Sequence, residues 1–271
     1  MSKSSFLIRL TIPMLAVIMM AVPALAQPEN PTARPPDSRV QQRNYFFEDA
    51  GKNMPYALYV SSKVTPDTPA PLIIALHGMG GNSNSLLRGR MIDLAEEGGY
   101  IVAGPMGYNE AGWYGSPVIM LPRGTPVEPP NLAELSEKDV MNVLDIVREE
   151  YNTNPERTYL VGHSMGGAGT FHLGVKYQEL WAAIAAIAPA SFLVDENSIA
   201  TIPDMPVFLI HGVQDTAVPL AEARSWVDVM RDNEMTYVYQ ELGHGDHGNV
   251  IHIGMPDIFE FFGEHVKAQT Q

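Results

Sequence analysis

Residues 159–167 read Tyr-Leu-Val-Gly-His-Ser-Met-Gly-Gly, and no other stretch restricts the possible fold as tightly. An apolar run ends in G-x-S-x-G and passes at once into Ala168-Gly169-Thr170, where a helix is expected to open. Small residues two before and two after Ser164 let the backbone turn sharply enough to leave the hydroxyl exposed, and the helix N-terminus beneath favours developing negative charge. A G-x-S-x-G alone arises by chance. Set between a strand and a helix, it marks Ser164 as a candidate nucleophile rather than part of a structural glycine turn.

The surrounding pattern fits that placement. Apolar strands alternate with amphipathic helical stretches, which predicts an α/β fold whose mostly parallel sheet is covered on both faces. The expected strands are 71–76, 100–103, 158–161, 181–187, 207–211 and 236–241. The expected helices are 85–97, 135–151, 165–177, 220–232 and 256–267. Upstream, Tyr45-Phe46-Phe47 and Tyr56 to Val60 flank a polar turn at 49–53, predicting an N-terminal β-hairpin at the edge of the sheet. Residues 107–131 are too rich in Pro and Gly for a helix and too long for an ordinary connection. Trp113 and Tyr114 in that stretch either line a substrate cleft or tack a surface excursion down, and a lid role for the loop stays open.

A serine hydroxyl needs a base, and in such a fold the chain order is Ser, then acid, then His. Asp215, in HGVQDTAVP just after a strand, is the expected acid, with Asp195 as runner-up and a turn-capping role as the bland reading. Among the later histidines, His247 in GHGDHGN is preferred as base over His244 in the same loop. His252 lies further towards the last helix, and His265 is read as a surface residue within it. An oxyanion needs fixed N–H donors. Met165 supplies one, and Met79 or Gly80, in the His77-Gly78-Met79-Gly80-Gly81 loop after an early strand, supplies the other. His-x-Asp-His at 244–247 is half of a zinc-hydrolase motif, but position 242 is Leu and no second His pair supplies the missing ligands. No metal or cofactor is expected.

The first 26 residues have the three parts of a secretory signal: Lys3 and Arg9, an apolar run from Leu10 to Val22, and Ala24-Leu25-Ala26 ahead of Gln27. The run contains Pro13 and is shorter than the ~20 residues that span a bilayer, so cleavage, with no stable membrane insertion afterwards, is expected. Residues 27–43 read as a flexible Pro-rich leader and 44–271 as one catalytic domain. Losing Lys3 and Arg9 with no acidic residue takes the formal net charge from −14 to −16. That balance argues against binding nucleic acid. With no cysteine, stability must come from the core rather than from disulfides. The expected location is periplasmic or secreted, and the oligomeric state is open.

Four segments taken together, PLIIALHGMGG, NPERTYLVGHSMGGAGTFHLG, PVFLIHGVQDTAVP and DHGNVIHIGMPDIFEFF, make the chain resemble the α/β-hydrolase superfamily over nearly all of residues 45–267. It is most similar there to exported esterases and prolyl-oligopeptidase-like members related to polyhydroxybutyrate depolymerases and feruloyl esterases. The resemblance implies that Ser164 is acylated, His247 shuttles protons, Asp215 orients His247, and Met79 with Met165 binds the oxyanion. It implies a small or polymer-derived carboxylic ester as substrate, with peptide or amide hydrolysis the nearest alternative. A non-catalytic binding protein on the same scaffold is the other class, and no essential group is missing to favour it. The absence of cysteines departs from the disulfide-tied members of those subgroups.

Overall fold

A computed structural model describes residues 35–117 and 127–267. Its centre is an eight-stranded sheet in the order β1-β2-β4-β3-β5-β6-β7-β8. The strands are β1 (Gln41–Phe47), β2 (Lys52–Val60), β3 (Ala70–Leu76), β4 (Ile101–Pro105), β5 (Thr153–His163), β6 (Ala183–Ile187), β7 (Val207–Gly212) and β8 (Tyr237–Leu242). β1 pairs antiparallel with β2, and β2 antiparallel with β4; from β4 through β8 all pairings are parallel. The α/β sheet and the edge hairpin are therefore as expected from the sequence pattern.

Five helices cover the sheet: α1 (Arg90–Gly98), α2 (Leu132–Glu150), α3 (Met165–Lys176), α4 (Leu220–Asp232) and α5 (Asn249–Glu264). Alternation along β3 shows how the faces divide. Leu72, Ile74 and Leu76 pack with Val143 and Val147 of α2, Phe171 of α3 and Trp226 of α4, whereas Ile73 and Ala75 pack with Ile92 of α1 and Phe262 of α5. A strand buried on both faces must be apolar at every position, and all seven residues of β3 are buried. Parallel strands also put all their C-terminal ends, and the loops that leave them, at one edge of the sheet.

Several boundaries differ from expectation for identifiable reasons. β1 begins at Gln41, inside the stretch read as leader, because Val40 is buried and Arg39 bridges Asp37 and Asp93. The remainder of that leader up to residue 34, and the signal segment 1–26, lie outside the described residues. β2 starts at Lys52, and the expected polar turn is a single helical turn over Glu48–Ala50 that closes on Gly51 at φ +60°. α1 starts at Arg90 rather than at Ser85, since Gly89 at φ +50° breaks the helix there. α5 starts seven residues before Pro256. The side chain of Asp246 accepts from the amides of Gly248 and Asn249, which starts the helix early. His265 stands just past the end of α5, half-buried, donating through Nδ1 to Phe261 O at 2.7 Å.

Within the 107–131 stretch, residues 118–126 are outside the described residues, and with them any test of a lid. Trp113 and Tyr114 do not line an open cleft. They are 1% and 0% exposed, and Tyr114 Oη donates to His77 O at 3.2 Å. Residues 107–117 are tacked to the body of the protein by these aromatics.

Candidate active site

Ser164 sits in the one-residue turn between β5 and α3, at φ 57° and ψ −117°. A non-glycine residue in that region stores strain of order 1–3 kcal/mol and is held there only by its surroundings. Those surroundings are specific. Ser164 N–H donates to Ile187 O at 2.9 Å, and Ser164 O accepts from the amides of Gly167, Ala168 and Ala190. The glycines are required by contact. A Cβ on Gly162 would lie 2.0 Å from Gly166 O, and one on Gly166 would lie 2.2 Å from Leu76 O. The motif is thus the packing solution that lets β5 turn into α3 against the end of β3.

Three loops at the C-terminal edge of the sheet bring the expected residues together. Ser164 Oγ donates to His247 Nε2 at 2.9 Å, and His247 Nδ1 donates to Asp215 Oδ2 at 2.7 Å. The other carboxylate oxygen of Asp215 accepts from the amides of Ala217 and Val218, each at 2.8 Å. Burial works to raise the Asp215 pKa, but the Val218 amide, the His247 ring and the Ala217 amide outweigh it and hold the carboxyl below its ordinary value. Asp215 therefore stays ionised at neutral pH, fixing the His247 tautomer with Nε2 free to accept. Its side chain is fully buried, while that of His247 is 27% exposed, so the imidazole keeps one side towards solvent.

The runners-up lie elsewhere. Asp195 is exposed and caps the helical turn Glu196–Thr201 through the Asn197 amide. His244 is exposed, with its carbonyl accepting from Asn249 Nδ2. His252 is exposed on α5. No group of His, Cys, Asp or Glu suited to a metal is present among the described residues.

In the 77–81 loop, Gly80 N–H is spent on Glu110 O at 2.8 Å and Gly81 N–H on Gly78 O at 3.0 Å. The Met79 amide has no acceptor among the described residues, nor does the Met165 amide at the start of α3. A Cβ on Gly78 would come within 3.2 Å of Ser164 Cβ, which places this loop directly against the serine. Of the two candidates in the loop, Met79 is the one with an unused donor.

Two histidines not singled out from the sequence complete the array. His163 donates through Nε2 to His247 O at 2.7 Å, with its ring 4.6 Å from the His247 ring. Burial, reinforced by His247, pushes its pKa down to about 4, so it is neutral near pH 7. His211, fully buried at the end of β7, donates through Nε2 to Val218 O at 3.0 Å and stands 3.4 Å from Asp215 Oδ2. Both occupy the last turn of a strand that delivers a site residue, and that position was the available signal.

A doubly covered, mostly parallel sheet with an ordered Ser–His–Asp array at its C-terminal edge defines an α/β-hydrolase. More specifically, the Esterase family model, described as "Putative esterase", matches residues 48–247, and the chain belongs to that family. Among curated proteins it is similar to a bifunctional acetylxylan esterase/xylanase of Neocallimastix patriciarum, 25% identical over 191 residues, covering 70% of this chain and 25% of that protein. It is also similar to feruloyl esterase B of Neurospora crassa, 26% identical over 203 residues, covering 72% of this chain and 63% of the other. The chain spans between 25% and 51% of the first curated relatives it matches. In structure it resembles an S-formylglutathione hydrolase from Agrobacterium tumefaciens, with TM-score 0.69, 16% identity, and 84% of this chain and 95% of that one covered.

Proposed function

We propose that this protein is a serine esterase that cleaves carboxylic esters through an acyl-enzyme. The observation that carries the reading is the pair of contacts made by His247, 2.9 Å to Ser164 Oγ and 2.7 Å to Asp215 Oδ2. Oγ attacks the ester carbonyl carbon as its proton passes to His247 Nε2, and the carbonyl oxygen becomes an oxyanion held by the Met79 and Met165 amides. The tetrahedral intermediate collapses, the C–O bond to the alcohol breaks, and Nε2 returns the proton to the leaving oxygen. Water then attacks the acyl carbon with His247 again as base, releasing the acid and restoring Ser164. Asp215 stabilises the imidazolium formed in both halves and remains ionised throughout.

Because two relatives carry acetylxylan and feruloyl ester hydrolysis in their names, acetyl and hydroxycinnamoyl esters are the first substrates to screen. The N-terminal 26 residues are the export signal in this reading, and the enzyme works outside the cytoplasm. The test is fluorophosphonate labelling of residues 27–271, with the labelled peptide found by mass spectrometry. Stoichiometric label at Ser164, lost in Ser164→Ala, is the expected result. No labelling of a well-folded sample would overturn the catalytic reading in favour of a binding protein, and turnover of peptides but not esters would move the activity to the peptidase class.

A further inference from the structure

The mechanism makes no use of Asp139, although it is 0% exposed and carries a carboxylate into the core. Among the described residues its carboxyl accepts from a phenol and from main-chain amides. Tyr45 Oη donates to Oδ1 at 2.6 Å, and the Gly107 and Tyr108 amides donate to Oδ2 at 2.6 and 3.4 Å. Tyr45 Oη in turn accepts from Asn142 Nδ2, so its own proton is committed to Asp139. Among the described residues no cation pairs with it, and burial pushes its pKa up despite those donors; a carboxyl buried in this way is costly and persists where its bonds hold something in place.

What it holds is the exit of β4. Gly107 and Tyr108 are both left-handed, at φ 66° and 68°, a pair of conformations that Tyr108 adopts only under constraint. The turn they start is closed by Asn109, whose N–H donates to Gly107 O and whose Oδ1 accepts from the Ala111 amide. It projects Glu110 O at the Gly80 amide, 2.8 Å away. Gly80, itself at φ 75°, follows Met79 directly. Two covalently short steps therefore join the carboxylate to the loop that faces Ser164.

We infer that Asp139 is the positioning residue of the oxyanion loop: by anchoring the 107–110 turn it directs Glu110 O onto Gly80 N–H and leaves the Met79 amide free for the substrate's developing negative oxygen. This rests on the esterase reading proposed above and adds to it a group more than one loop away from the reacting atoms. Asp139 acts through the backbone, touching neither Ser164 nor substrate.

The test compares the full chain with Asp139→Ala, Asp139→Asn and Tyr45→Phe on p-nitrophenyl acetate, with active sites counted by end-point fluorophosphonate labelling. Asp139→Ala is expected to lose roughly 10- to 100-fold in kcat with KM within about twofold, a part of the loss that follows removal of an oxyanion donor. Affinity for a trifluoromethyl ketone should fall in parallel, while the end-point label stays near one per chain. Asp139→Asn keeps one acceptor for the Gly107 amide and should recover most of kcat. Tyr45→Phe, which leaves both amide bonds, should stay within about twofold. Unchanged kcat in a fully titrated Asp139→Ala overturns the inference alone, as does a Tyr45→Phe loss equal to that of Ala, which would put the effect in the hairpin. If Asp139→Ala does not fold, Asp139→Leu, which fills a similar volume without an acceptor, decides: a deficit in kcat and ketone affinity supports the inference, and one confined to KM or to the labelled fraction, or none at all, overturns it. A wild type inert towards every ester overturns both readings.

Discussion

His163 donates through Nε2 to the main-chain oxygen of His247 at 2.7 Å, so the residue preceding the proposed nucleophile fixes the backbone of its proposed base. The two rings lie 4.6 Å apart, and a Cβ on Gly78 would come within 3.1 Å of His163 Nδ1. One neutral imidazole is thereby wedged among the serine turn, the histidine loop and the 77–81 loop.

Replacing His163 by Leu removes that donor and lets the His247 loop relax. A shift of about 1 Å at a catalytic group costs on the order of 100-fold, so kcat should fall by roughly 10- to 100-fold while KM changes little. His163→Gln presents an amide N–H towards the same carbonyl and should recover most of the loss. Steady-state kinetics on one chromogenic ester separate the two variants. Equal activity in wild type and His163→Leu would show that His247 is held without this bond.

Asp215 and Asp195 invite a direct comparison. In Asp215→Asn an amide nitrogen can face His247 Nδ1, which favours the tautomer with its proton on Nε2, where Ser164 Oγ needs an acceptor. The expected loss in kcat is about 10⁴-fold, as for a triad whose histidine holds the wrong tautomer. Asp195→Ala removes only the cap on the Glu196–Thr201 turn and should leave kcat within about twofold. A large loss in Asp195→Ala with activity kept in Asp215→Asn would exchange their roles.

Much of this arrangement was legible because parallel strands buried on both faces read as unbroken apolar runs, and the chain order of serine, acid and histidine follows the order of the strands that deliver them. Two acids and two histidines stood close enough in sequence to leave a choice that periodicity does not make. Geometry separates them: Asp195 and His244 are exposed, and Asp215 and His247 face each other. His163 and His211 could be flagged only by their place at the end of a strand that delivers a candidate site residue, a weak signal, since a histidine there looks the same whether it points at solvent or at a neighbouring loop. Asp139 lies on the buried stripe of α2, four residues from Leu135 and from Val143, so the helical period marks the position as inward, but not the Tyr45 hydroxyl and the β4 exit loop that satisfy its carboxyl. The early start of α5 was hidden because Pro256 resembles a first-turn proline, whereas the side chain of Asp246 starts the helix seven residues sooner.

Glu137 ties α2 to α3. Its carboxylate accepts from Lys176 Nζ at 2.6 Å, Tyr177 Oη at 2.7 Å and His172 Nε2 at 2.9 Å. Burial opposes ionisation, yet those donors hold the pKa down to about 2. A carboxyl with a folded pKa below its unfolded value adds stability that is fully present above the unfolded pKa of 4.5 and lost as pH falls towards 2. Because Lys176 is half exposed, screening reduces the contribution to roughly 1–2 kcal/mol. Urea titrations of wild type and Glu137→Gln should differ by that amount at pH 7 and converge between pH 4.5 and 2. A gap that stays constant over that range would mean the carboxylate's charge contributes nothing.

Two glycines should respond to alanine in opposite directions. In Gly162→Ala the new Cβ meets Gly166 O at 2.0 Å and Thr170 Oγ1 at 2.6 Å, and the first of these is backbone at the start of α3. Gly166 O cannot yield without displacing the turn that holds Ser164, so the cost should exceed the usual 1–3 kcal/mol of overpacking, with a matching drop in Tm and loss of fluorophosphonate labelling. Gly263 lies in the last turn of α5, and a Cβ added there would meet nothing within 4 Å. Alanine at that position removes backbone freedom from the unfolded chain and should add about 0.5–1 kcal/mol with labelling unchanged. Thermal melts of the two variants beside wild type check both signs, and a Gly162→Ala protein that melts and labels like wild type would show that the serine turn tolerates a side chain where the backbone leaves it no room.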